Sequence, residues 1–108
     1  MPWLVEILNE KVENELEALP TDMRARFIRI VELIETFGLH NVGMPHIRHL
    51  QDKLWEMRMK GKDGISRALY VTVEAERLVV LRAFIKKTQK TPTREIRLAL
   101  ERAKEIEQ

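Results

Sequence analysis

Four cations sit where strands more often carry neutral side chains. Arg58, Arg67, Arg82 and Lys86 fall inside or at the ends of segments whose alternation reads as β-structure. Neighbouring strands lie about 4.8 Å apart, so charges on facing positions come within reach of one bound phosphate. Like charges gathered on a sheet repel, and a polyanionic ligand relieves that repulsion. The competing explanation is edge lysines that block sheet-to-sheet pairing, with arginines paired to Glu56 or Glu74. It accounts well for Lys60 and Lys62, and less well for Arg58, Arg67 and Lys86 together. The segment Lys86-Lys87-Thr88-Gln89-Lys90-Thr91-Pro92 adds further cations, hydroxyls and an amide just before a helix start, where anions also bind. Trp55 and Tyr70 lie on adjacent strands, and an exposed aromatic there would stack on an unpaired base. Trp55 alternates with Met57 and Met59, which reads as core. Strict alternation puts Arg67 and Tyr70 on opposite faces, so only a bulge or twist would let both line one groove.

Other chemistries find little support. The chain has no cysteine, which excludes thiolate nucleophiles, iron–sulfur clusters and cysteine-ligated zinc. His40, His46 and His49 lie in an irregular stretch with only Asp52 as an acidic neighbour, a poor metal site. Ser66 is the one serine and lacks the strained turn of a nucleophile. The four glycines have no phosphate-loop spacing. Neither a metal nor a cofactor is expected.

The elements that position these residues can be read from periodicity. Residues 3–8 form a short apolar strand. Val12, Leu16 and Leu19 mark one face of a helix over about 10–19, ended by Pro20. Thr21 is the expected N-cap of a second helix, about 21–37, with Phe27, Val31, Ile34 and Phe37 as its stripe and Gly38 as its stop. Residues 39–53 read as irregular. Three strands follow, about 54–60, 65–73 and 78–86, joined by Lys62-Asp63-Gly64 and Glu74-Ala75-Glu76. In the last, Val79, Leu81, Ala83 and Ile85 are expected on one face, with Arg82, Phe84 and Lys86 on the other. Thr91-Pro92 opens a final helix with proline at its first position, packed through Ile96, Ala99, Leu100 and Ala103. The fold class is α+β: an antiparallel sheet with two N-terminal helices packed on it and a C-terminal helix.

The 108 residues fit one domain, residues 1–108. The net charge of +2 hides an uneven distribution. Residues 1–20 hold five glutamates against one lysine, whereas residues 77–97 hold seven cations against Glu95. Such a basic half attracts polyanions, or is a solvated face kept basic for solubility. No apolar run approaches a membrane span and no signal-peptide pattern opens the chain, so a soluble cytoplasmic protein is expected.

Pro45-His46-Ile47-Arg48-His49-Leu50, Leu54-Trp55-Glu56-Met57-Arg58, Arg67, Tyr70, the run Phe84–Pro92, Glu95-Ile96 and Ala99 together resemble the HigB-type, phage-derived branch of the RelE/ParE toxin superfamily. The resemblance is specific over about residues 45–103, and the order of elements extends it to the whole chain. It implies the toxin of a type II toxin–antitoxin pair that cleaves messenger RNA on the translating ribosome, with a helix-turn-helix antitoxin as partner. RNA supplies its own nucleophile, the 2′-hydroxyl, so such a cut needs no serine, cysteine or metal. Under this reading Arg58 and Arg67 clamp the phosphate, and Lys86 or Lys87 adds charge or the acid. Glu56 and Tyr70 are lower-ranked acid–base candidates, and Arg82, Lys90 and Lys60 bind the RNA backbone. The family commonly carries an arginine or aromatic cluster just before the position of Arg67, where this chain has Gly64-Ile65-Ser66. Two alternatives stay open: a non-catalytic, ParE-like toxin that binds a protein such as DNA gyrase, and a detoxified remnant that only binds its antitoxin.

Overall fold

The alternating stretches build one five-stranded sheet in the order β1-β5-β4-β3-β2. The computed structural model describes residues 2–43, 46–86 and 90–107. Strands β3 (Leu54–Gly61), β4 (Gly64–Val73) and β5 (Arg77–Lys86) form the expected antiparallel meander, and β1 (Leu4–Ile7) lies parallel to the first part of β5. Strand β2 (Ile47–Gln51) pairs antiparallel with β3 inside the stretch expected to be irregular. Its own sequence gives little sign of it. Only Ile47 is buried, so no alternation is legible, and the strand is held by hydrogen bonds from β3.

Helices α1 (Glu10–Glu17) and α2 (Thr21–Phe37) cover one face of the sheet. Asn9 caps α1, its side-chain oxygen accepting from the Val12 amide at 3.1 Å. Pro20, not Thr21, stands at the N-cap of α2, where no side chain bonds the free amides. Gly38, at φ 90°, ends α2 in a conformation that disfavours any residue with a Cβ. Val12, Leu16, Met23, Phe27, Ile30 and Ile34 bury against Met57, Met59, Ala68, Tyr70, Leu78 and Val80. Gly61 lets α2 approach closely, since a Cβ there would meet an Asp22 carboxylate oxygen at 2.7 Å. The third helix, α3 (Thr93–Ala103), packs on the opposite face. Its Ile96, Ala99 and Leu100 meet Leu69, Val79, Leu81 and Phe84. The α+β expectation therefore holds, with helices on both faces of the sheet. Among the described residues no helix is long and apolar enough to cross a membrane.

Strand β5 departs from strict alternation. Leu69 faces Arg82 while Tyr70 faces Val80, which leaves Leu81 as an extra residue in a bulge. Val79 and Leu81 lie on the α3 face, but Ala83 lies in the core beneath α1 and α2, and Phe84 returns to the α3 face. The expectation that Val79, Leu81, Ala83 and Ile85 share a face fails at this one residue.

Strand β1 ends opposite Val80, so the rest of β5 is a sheet edge. Side chains satisfy it. The Ala83 amide donates to Glu15 Oε1 at 3.2 Å, and Arg102 donates to the Leu81 carbonyl at 2.9 Å. Glu15 also accepts from Arg102 at 2.9 Å and pairs with Arg82 at 2.8 Å, and Arg82 reaches Glu95 at 2.6 Å. One carboxylate thus ties α1 to β5 and α3. Burial raises the Glu15 pKa, but Arg102, the Ala83 amide and Arg82 outweigh it and hold the carboxyl below its ordinary value. A depressed carboxyl contributes stability above its unfolded pKa, and the contribution disappears as pH falls through the folded one. Glu15→Ala is expected to cost about 2–4 kcal/mol in urea unfolding, because it removes the carboxylate shared by two partly buried guanidinium groups and the acceptor of the Ala83 amide. Glu15→Gln should flatten the stability loss seen in wild type below about pH 4.3.

Candidate functional site

On the α3 face the strand register sets charged residues in rows. Arg48 on β2 stands opposite Glu56 on β3, and Arg58 stands opposite Arg67 on β4. In the next row Lys60 faces Ile65, which faces Lys86 on β5. Two arginines directly opposite each other destabilise a strand pair. Glu56, one row away, relieves this by forming an ion pair with Arg67 through Oε2 and Nη1. The other carboxylate oxygen accepts from the Thr91 hydroxyl at 2.8 Å. Sequence reading takes Thr91 as part of a helix start. The hydroxyl is instead spent on Glu56, and Pro92, expected at the first helical position, is the N-cap of α3.

Burial in this cluster is extreme for charged groups. Glu56 is 0% exposed and Arg67 3%. Arg67 Nε is buried without a hydrogen-bond partner. Lys86 is buried, Arg58 half-buried and Arg48 exposed. Among the described residues neither the Arg48 nor the Arg58 guanidinium has an ion-pair or hydrogen-bond partner. Four cations therefore surround one carboxylate. Burial pushes the Lys86 ammonium below the ordinary lysine value; Arg67 pushes the same way, Glu56 resists, and Arg48 and Arg58 add to the push. The Arg67 guanidinium is lowered chiefly by burial, against Glu56 and with Arg58. A region with excess positive charge, an unmatched buried N–H and a desolvated lysine is complementary in charge to an anion.

Glu56, Arg58, Arg67 and Lys86, all singled out from sequence, come together here. Lys60 is exposed at the end of the same row. Arg82 does not join them, because Glu95 and Glu15 hold it and it lies over the Phe84 ring at 5.7 Å. Tyr70 is also apart: the unbroken alternation of β4 buries it completely on the α1–α2 face, where burial raises its phenol pKa. Trp55, read as core, is 38% exposed near the sheet edge and packs against the His49 ring at 4.9 Å. Lys87, with Thr88 and Gln89, lies outside the described residues, whereas Lys90 is exposed before α3. Sequence reasoning misses Arg48 because it misses β2. The three histidines separate, His40 edge-on to Trp3, His49 bonded to the Asp52 carbonyl, and His46 beside β3. Among the described residues no group of three or more His, Cys, Asp or Glu is placed to hold a metal ion.

Residues 14–104 match the family of phage-derived Gp49-like proteins. Among solved structures, the chain is similar to an arginine-to-alanine double mutant of the E. coli toxin RelE in the free state, at 10% identity and a TM-score of 0.64, covering 94% of this chain and 98% of that one. It is also similar to the archaeal RelE–RelB complex from Pyrococcus horikoshii OT3, at 19% identity and a TM-score of 0.56, covering 81% and 98%. At such identities the likeness is one of fold. Among curated proteins no sequence matches this chain.

The geometry separates the two central arginines. Arg67→Ala leaves the buried Glu56 carboxylate without its counter-charge, and about 3–5 kcal/mol of stability should be lost. Arg58→Ala removes a half-exposed, unpaired cation and should cost under about 0.5 kcal/mol or even stabilise. Urea denaturation of the two variants checks both.

Proposed function

The chain belongs to the phage-derived Gp49-like family, and on that premise we propose that it is the toxin of a type II toxin–antitoxin pair, of HigB type, acting as a metal-independent endoribonuclease on translated messenger RNA. The observation that carries this reading is the Arg67 guanidinium. It is buried, oriented by Glu56, left with an unmatched Nε–H, and flanked by Arg58, Arg48 and Lys86. The RelE-like fold around it supports the same reading.

In the proposed reaction the 2′-hydroxyl of the substrate gives its proton to water and attacks the adjacent phosphorus, and the bond from phosphorus to the 5′-oxygen breaks. Arg58 and Arg67 meet the negative charge that grows on the phosphate oxygens. These donors are set in place before reaction, which makes such contacts effective. Both oxygens of Glu56 are already engaged, so its part is to position Arg67. Lys86, with its affinity for the proton weakened by burial and by Arg67, protonates the leaving 5′-oxygen. The products are a 2′,3′-cyclic phosphate and a 5′-hydroxyl end. Lys60 and Lys90 are proposed to contact the RNA backbone. The proposed partner is a helix-turn-helix antitoxin whose acidic or amphipathic segment covers the basic face. The similar archaeal protein is itself a complex of RelE with RelB.

Primer extension on a translated message tests the assignment, with circular dichroism to confirm folding. Arg58→Ala should slow cutting by about 10²–10³-fold. Arg67→Lys, chosen to keep the buried charge pair, should also slow it strongly because the planar fork is lost. Cutting should persist in EDTA where ribosome integrity is maintained. If none of these substitutions alters cutting, the site is wrong; if wild type arrests growth without cutting, a gyrase-type protein target takes precedence.

The lysine makes a separate prediction in pH. An acid must be protonated, so the rate should fall as pH rises through the Lys86 pKa. That alkaline limb should begin below the ordinary lysine value of about 10.4. In Lys86→Arg it should vanish from the accessible range, which single-turnover cutting at graded pH would reveal.

A further inference from the structure

The phosphate cluster does not end at Arg58. A groove of about 250 Å³ adjoins it, lined by Arg26, His46, Arg58, Lys60 and Ile65. It lies where β2 stops and, among the described residues, β3 is paired only with β4. β2 begins at Ile47, which pairs with Met57, and the last contact across the edge among the described residues is the Arg58 amide donating to the His46 carbonyl at 2.8 Å. Beyond this point α2 supplies a wall. The Asp22 carboxylate accepts from the Lys62 amide at 2.8 Å, and Gly61 allows the close approach. Arg26 stands one helical turn after Asp22, so this anchor brings it to the groove.

The lining has a consistent chemistry. It holds three cations and an imidazole, and no acidic side chain appears among its described residues. Arg26, Arg58 and Lys60 have no ion-pair partner among the described residues. The contrast along α2 is informative. Arg24 donates to the Glu17 carbonyl and Arg29 pairs with Glu32 at 3.6 Å, so the helix's neighbouring arginines are engaged within the protein. Ile65 gives the groove one apolar wall, suited to the face of a ribose or base.

We propose that this groove is a second phosphate subsite for the same RNA strand, taking the backbone phosphate next to the one held at Arg58 and Arg67. The inference rests on the ribonuclease reading above. Single-stranded RNA carries one negative charge per nucleotide, so a strand laid across Arg58 presents its next phosphate to the neighbouring cations. Arg26 and Lys60 supply charge, and the His46 ring supplies a hydrogen-bond donor. Arg58 is shared between both subsites, which fixes the direction in which the strand must run: from the Glu56–Arg67 pair, over the open end of β3, towards α2.

The test uses the full chain and a fluorescein-labelled oligouridylate, 2′-O-methylated throughout so that it cannot be cut. Binding is followed by anisotropy over a salt series. Each lost phosphate contact on a single strand should reduce the slope of log K against log salt by about 0.7. Arg26→Gln and Lys60→Gln should each lower the slope by about that amount, whereas Arg29→Gln, on the same helix but outside the groove, should leave it unchanged. An unchanged slope in Arg26→Gln overturns the subsite, as does an equal fall in Arg29→Gln, which would mean a diffuse field. Binding of poly-glutamate as tight as that of the RNA overturns it in favour of an acidic protein segment. A wild-type chain that binds no RNA also overturns it. The ribonuclease reading is judged separately, by the mapped cuts on translated message.

Discussion

One extra residue in β5 decides which side chains can meet. Without the bulge at Leu81, strict alternation would carry Phe84 and Lys86 onto the face that lies under α1 and α2. A lysine there would be buried among Met59, Ala68 and their neighbours with no carboxylate at hand, a cost of several kcal/mol. With the bulge, Lys86 reaches the face that already holds Glu56 and Arg67. Past the end of β1 the Ala83 amide and the Leu81 carbonyl lie on an exposed edge, and Glu15 takes the first and Arg102 the second.

The cluster that results opposes stability. Four cations share a small area with one buried carboxylate, and burying charge is unfavourable unless every group is matched. The rest of the structure offsets this. The apolar core beneath α1 and α2 holds the three central strands rigid, and α3 seals the opposite face through Ala99 and Leu100. Arg58, Arg67 and Lys86 therefore cannot relax by separating, because each sits on a strand whose other face packs in the core. A site whose positive charge is fixed before any anion arrives gains more from that anion than a flexible one would.

Much of this was legible in the residues. Alternation over Leu54–Lys60 and the turn at Lys62-Asp63-Gly64 predict the meander, and the helical stripes predict the packing of α1, α2 and α3. The misses have physical causes. Strand β2 buries one residue and exists because β3 offers it an edge, so its local pattern says nothing. The bulge is set by how two sheet faces must be filled, which no run of ten residues encodes. Of the site, Arg58, Arg67 and Lys86 stand out in the sequence as cations in unlikely places and Glu56 as a partner for the arginines, whereas Arg82, which stands out equally, is held elsewhere by Glu95 and Glu15. Arg48 and the part played by Thr91 depend on register and on a loop closing from another face. Tyr70 fell the other way: its parity with Ala68 already opposed a place beside Arg67, and the unbroken strand kept it there.

The parallel pairing of β1 with β5 has a consequence for how the chain is made. Leu4 finds its partner at Arg77, so β1 must wait for β5, the last of the described strands. At about 5–20 residues per second, that wait is on the order of ten seconds. Until then α1 and α2 have no completed sheet to cover, and the meander lacks Lys86 and the Thr91 hydroxyl that closes over Glu56. Long-range closure of this kind is slow and comes late. The charged cluster around Glu56 is thus completed only after β5 and the segment that carries Thr91 have been made.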